Sequence, residues 1–219
     1  MLLKFKQLYQ AIQALKSENL GDFAILKADA LGSKVNPAIA SQLKDVVGYY
    51  PPIDLEELSQ YPKGSFGYEY AHHMKANHLK PFNVSPELDD IARRNVFALR
   101  YVVTHDIFHV LLGFDTSYAG EIGVLAFAAE QNYSSSLQLG LKLASILYPI
   151  LAPLQIKSIL ANIHQGKKLG KKAEFLLGIR FEELWERSLS EVKAELGLAT
   201  ERTESTQSSK FEVQNVFQG

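Results

Sequence analysis

The chain has no cysteine. That absence excludes a disulfide framework, cysteine-ligated zinc fingers and iron–sulfur clusters, and leaves imidazole and carboxylate as the strong metal donors. Neither sign of charge is in excess: 23 Lys and Arg stand against 24 Asp and Glu, for a net charge of −1. A balance of this kind supplies no field for a phosphate backbone, so nucleic acid is not an expected partner. No stretch alternates apolar and polar residues long enough to demand a sheet, and no period of 20 to 50 residues repeats. The amino terminus, MLLKFKQLYQAIQAL, lacks both the apolar core and cleavage site of a signal peptide and the Arg/Ser-rich make-up of a transit peptide. The reading that follows is a cytoplasmic protein lying peripherally on the cytoplasmic face of a membrane.

What the chain does have is helical periodicity and enough apolar side chains, 47% of the total, to bury one substantial core. The expected fold is all-α, a single-domain helical bundle over residues 1–198 followed by a polar tail, 199–219, rich in Ser, Thr, Glu and Gln. The organising stretch is RYVVTHDIFHVLLGFDTSYAGE, residues 100–121. On a helix, His105 and His109 share a face, and Asp106 lies one step round from His105. Apolar neighbours on every side, among them Val102, Val103, Ile107, Phe108 and Leu111, mark this helix as buried. An ionised carboxylate there must be hydrogen-bonded, ion-paired or bound to a metal. Gly113 reads as a helix stop and 115–117 as the cap of the next helix, which places Glu121 in that helix's first turn. Two imidazoles and two carboxylates can thus converge on a divalent ion, or satisfy one another without one.

Elsewhere the signals are start and stop residues. Residues 2–15 form an amphipathic helix suited to the core, to a membrane surface or to a second copy of the chain. Asp22 opens a helix that Gly32 closes, and Asn36-Pro37 opens another that stops at Gly48. Asp54 caps a short turn, and Ser85-Pro86 begins a long central helix over 86–112. His72, His73 and His78 read as solvated or hydrogen-bonded side chains, and the run Ser188 to Glu191 as a capping box. The apolar segment 137–156 carries Pro149 and Pro153, so it predicts two buried helices meeting at the prolines, or else the lining of a lipid cleft. An elongated apolar channel is expected between residues 101–112 and 137–154. Lys167, Lys168, Lys171 and Lys172 form a basic cluster that is either a solvated face or a seat for an anionic lipid headgroup.

HDIFHVLLGFDTSYAGE resembles the HDxxH, eleven residues, Glu signature of the Coq4 family of ubiquinone biosynthesis proteins. GSFGYEYAHHM (64–74) and LLGIRFEELWERSLSEVKAELGL (176–198) resemble two further segments of that family. The resemblance implies a metal site at His105, Asp106, His109 and Glu121, with zinc the first choice and iron, manganese or magnesium as alternatives. It implies removal of the ring carboxylate from a polyprenylated hydroxybenzoate, with coupled hydroxylation. Arg100 and Tyr101 become candidates for support around the site. A non-catalytic isoprenoid-binding scaffold that serves other quinone biosynthesis enzymes is the second reading. The third is a phosphohydrolase of the HD type, which would need further ligands such as His164 and Asp54.

Overall fold

In a computed structural model, residues 10–15 and 19–199 are described, and among them there are helices but no strand. Residues 10–15 are helical, but most of the amphipathic first helix and the tail beyond 199 lie outside the described residues. The α-helices that follow are α1 (Leu20–Ala30), α2 (Leu55–Leu58), α3 (Phe66–Ala76), α4 (Asp89–Arg94), α5 (Val96–Leu112), α6 (Tyr118–Glu130), α7 (Ser135–Leu151), α8 (Ile156–Lys172) and α9 (Leu189–Glu195).

The caps that the sequence announces are present, with changes that have local causes. Asn19 rather than Asp22 caps α1, while Asp22 accepts hydrogen bonds from the backbone and hydroxyl of Ser85. Asn36 caps its segment as expected, but Pro37–Val46 winds as a 3-10 helix. Asp54 accepts from the amides of Glu56 and Glu57. At the carboxyl end Ser188 stands at the N-cap of α9, yet no capping box forms, and the Ser188 hydroxyl bonds Ser190 instead.

The single long helix expected over 86–112 is three pieces: a 3-10 turn at Pro86–Leu88, then α4, then α5. The break is at Asn95, at φ −118° and ψ 66°. Its side chain accepts from the amide of Ala98 and donates to Asp29 and the Ser33 carbonyl. A side chain able to replace the lost backbone partners makes the break affordable.

α5 and α6 are apolar on almost every face and sit in the middle, with the main core formed around Phe66, Tyr70, Phe108, Phe127, Phe181 and Trp185. α8 crosses α6 with backbones in contact: a Cβ added to Gly166 would stand 2.3 Å from the Gly123 carbonyl oxygen. Arg100 is wholly buried and donates to the carbonyls of Tyr49 and Ile179 and to Glu182, which fastens the carboxyl-terminal segment to α5.

The segment 137–156 departs from expectation. Pro149 is accommodated inside α7, and the chain bends by 113° only at Ala152, before Pro153. Leu141 and Ala144 pack against α6, but the opposite side of α7 is open to solvent, so the two helices are not buried.

Candidate metal centre

Gly113, at φ +74°, ends α5, and its amide donates to the His109 carbonyl. Asp115 then braces the turn by accepting from the Ser117 amide and hydroxyl, and the Ser117 hydroxyl caps α6 at Gly120. The turn closes so tightly that a Cβ on Gly120 would overlap the Asp115 carbonyl. This closure carries Glu121, in the first turn of α6, back over His105 and His109.

The result is a compact group: donor atoms of His105, His109 and Glu121 all lie within 4.8 Å of one another. His105 Nε2 stands 3.5 Å from Glu121 Oε2, and His109 Nε2 stands 3.4 Å from Oε1. Among the described residues no other group of three such side chains converges in this way.

The hydrogen bonds behind the rings decide what the front presents. His109 Nδ1 is 3.2 Å from the Phe114 carbonyl oxygen, which can only accept, so Nδ1 carries the proton and Nε2 turns its lone pair toward Glu121. His105 Nδ1 faces Asp106 Oδ1 at 3.4 Å, with the same consequence. His109 Nε2 is buried and makes no hydrogen bond. Two lone pairs and a carboxylate facing each other repel unless a cation or a proton lies among them, and this donor set fits a divalent ion. Without the ion, protons take its place. Burial opposes charge on His105, but Asp106 and Glu121 outweigh it and hold the imidazole at about 9. Burial likewise opposes charge on Glu121, and the two histidines outweigh it and hold the carboxyl at about 2.

Asp106 stands outside the group of three. It orients His105 from behind and lines a cavity of about 1280 Å³ whose walls include Pro52, Ile53, Leu55, Leu79 and Phe82. The cavity's lining runs over residues 52–57 and 78–86 and reaches Asp106, behind His105. Tyr101 lies edge-on to His105 with ring centres 6.0 Å apart, and burial and then the Glu121 charge push its hydroxyl above the usual tyrosine range. Arg100 is turned away, toward Glu182. Lys167, Lys168, Lys171 and Lys172 are exposed at the far end of α8, where Lys171 approaches Glu130 at 3.8 Å. His164 is exposed and Asp54 is used as a cap, so neither adds a ligand for a phosphohydrolase.

His73 is the residue the sequence reading missed. His72 and His78 are exposed, but His73 stacks on His109 with ring centres 6.0 Å apart, and its Nε2 is buried without a partner. Burial first and His109 next lower its pKa. The available signal was the spacing Phe66, Tyr70, Met74, whose inward stripe along α3 also takes in position 73.

Residues 50–201 match the family described as Coenzyme Q (ubiquinone) biosynthesis protein Coq4. The chain is 32% identical over 151 residues to the rat mitochondrial ubiquinone biosynthesis protein COQ4 homolog, a match covering 67% of this chain and 55% of the relative. Its human counterpart is 30% identical over 157 residues, with the same coverage. The chain thus spans about half the length of these curated relatives. A crystal structure of a Nostoc punctiforme protein assigned to ubiquinone biosynthesis superposes with a TM-score of 0.62 at 24% identity, covering 91% of this chain and 96% of that one, which supports the fold.

Proposed function

Since the chain belongs to the Coq4 family of ubiquinone biosynthesis proteins, we propose that it uses a divalent ion, zinc by preference, to remove the ring carboxylate from a polyprenylated hydroxybenzoate. The observation that carries this reading is the pair of Nε2 lone pairs held on one carboxylate by Phe114 and Asp106. His105, His109 and Glu121 would hold the ion, which supplies a Lewis acid for a carboxylate or phenolate oxygen.

The chain's own residues do the rest. Asp106 and the Phe114 carbonyl fix the ring orientations, and Glu121 contributes the negative charge that two neutral imidazoles lack. Tyr101, kept protonated by burial, offers a donor beside His105. In the reaction the bond from ring carbon to carboxylate breaks, carbon dioxide leaves, and the electron pair stays on the ring to take up a proton. Coupled hydroxylation puts oxygen at that carbon instead, removes two electrons and draws on an external oxidant such as dioxygen. The apolar walls of the cavity beside Asp106 suit the prenyl tail, which gains roughly 25 cal/mol per Å² of apolar surface removed from water. The same cavity favours a second reading, a carrier that presents the lipid to other quinone biosynthesis enzymes.

Metal analysis of protein purified without added metal, paired with His109→Ala, tests the site. One equivalent in the parent and a loss of most of it in the variant are expected; equal content in both sinks the assignment. Incubation with the carboxylated precursor and an oxidant then separates the readings. Release of carbon dioxide supports the enzyme, whereas tight binding without release supports the carrier.

A further inference from the structure

α7 and α8 form an elbow whose outer side has no partner among the described residues. Leu139, Leu143, Ile146 and Ile150 recur every three or four residues, so they make one continuous stripe along α7. Ile146 is 68% exposed and Ile150 70%, and Leu154, at the bend, is 100% exposed. A stripe of this length left in water is an interaction surface.

Charge selects the occupant. Residues 131–173 contain six lysines and no Asp or Glu, whereas the rest of the chain holds 17 basic and 24 acidic residues. A second copy packed through this face would bring the same lysines and no Asp or Glu of 131–173 to meet them, because a two-fold interface pairs a patch with itself. A bilayer with anionic headgroups meets both features. The leucines and isoleucines enter the acyl boundary, and Lys142 and Lys157, both exposed beside the stripe, reach the phosphates on flexible stems. No single helix among the described residues is long and apolar enough to cross a membrane; α7 and α8 have that length and composition only together, as a pair bent by 113°. Because Leu141, Ala144 and Ile159 hold the inner side of the elbow on α6, only the outer face is available, so the elbow lies in the interface.

We propose that the α7–α8 elbow is the surface by which this protein enters an anionic membrane, with Leu154 at its deepest point. The elbow is also wired to the metal centre. Gln155 accepts from the Ala119 amide at 3.0 Å, Asn162 donates to the Ala119 carbonyl at 2.8 Å, and Tyr148 meets Tyr118 with ring centres 5.1 Å apart. Ala119 precedes Glu121 by two residues, so lipid contact is made on the element that positions the cluster. The purpose assigned to this contact rests on the lipid-borne substrate proposed above, but the binding itself is tested with neither substrate nor metal added.

The full chain is floated with vesicles of neutral phosphatidylcholine, alone or with a third of anionic phosphatidylglycerol. At least a tenfold preference for the anionic vesicles is expected, with a loss of tenfold or more in the triple variant Ile146→Ser, Ile150→Ser, Leu154→Ser. Because the chain has no cysteine, Leu154→Cys takes a single environment-sensitive dye, whose emission should shift to the blue and be quenched by a lipid-borne quencher. Equal flotation of parent and triple variant would overturn the proposal in favour of another anchor. An unshifted dye would do the same. A dimer seen by light scattering that the triple variant dissociates, without vesicle binding by the parent, would overturn it in favour of a second copy.

Discussion

α5 and α7 are both 17 residues long and similarly rich in apolar side chains, yet one is the buried post of the bundle and the other lies on its surface. Their polar residues separate them. On α5 Thr104 donates to the Arg100 carbonyl, Arg100 reaches Glu182, His105 faces Asp106, and His109 faces Phe114, which leaves only Arg100 Nε and the inward-facing His109 Nε2 buried without a hydrogen bond. α7 has two serines and Gln138 near its start, Lys142 in solvent, a single mid-helix hydroxyl, Ser145, that donates to the Leu141 carbonyl, and apolar residues both on its packed side and on its open side. Burial on α5 thus comes with a partner for each of these polar side chains, and apolar content alone does not decide which helix is inside.

The largest effect that tests this contrast is expected at Arg100. Its side chain is 0% exposed and that of Glu182 is 5%, so Arg100→Ala would leave a buried carboxylate and two carbonyls without their donor. The expected loss is about 3–5 kcal/mol, read as a lower denaturant midpoint. A loss below about 0.5 kcal/mol, the range of a surface change, would show that α5 does not depend on its paired polar groups.

The site was legible to the extent that it is local. The i, i+4 histidines, the Gly113 stop and the capped start of α6 are all consecutive, and together they bring Glu121 to the imidazoles. What escaped depends on the far side of the chain. The break at Asn95 needs Asp29 and Ser33 to receive its amide, and His73 owes its burial to α5. The exposure of α7 is likewise invisible in a periodicity that fits two opposite faces equally well. The all-α architecture itself was legible, because it follows from patterning along the whole chain.

A smaller effect concerns pH, and it sharpens what holds α5 to α6. In metal-free protein, Glu121 sits at about 2 against an ordinary value of 4.5, so its contribution is present above 4.5 and lost as pH falls toward 2. His105 sits at about 9 against 6.5, so its contribution is complete below 6.5 and lost as pH rises through 9. Thermal scans of chelator-treated protein should therefore show the cluster at its most stabilising between these two ordinary values, 4.5 and 6.5. Added divalent ion competes with protons for the same nitrogens, so it should move the optimum upward. A His105→Gln variant with the parent's pH profile would remove His105 from this account.

The smallest change in stability is expected on α7, where it is most informative. Ile146 is 68% exposed, so replacing it with alanine removes little buried surface and leaves no cavity. Alanine is also the better helix former, since it loses no χ1 freedom against the preceding turn. Ile146→Ala should therefore shift stability by no more than about 0.5 kcal/mol, toward the stabilising side if it shifts at all. A buried isoleucine such as Ile107, 0% exposed on α5, behaves differently: truncation there removes packing that nothing replaces, at a cost of about 2–5 kcal/mol. A large loss at Ile146 would mean that the outer face of α7 is covered in solution by protein, and equal losses at Ile146 and Ile107 would erase the distinction between the two helices. A neutral Ile146→Ala whose flotation with anionic vesicles is nonetheless weakened would place the role of that face in binding and not in folding.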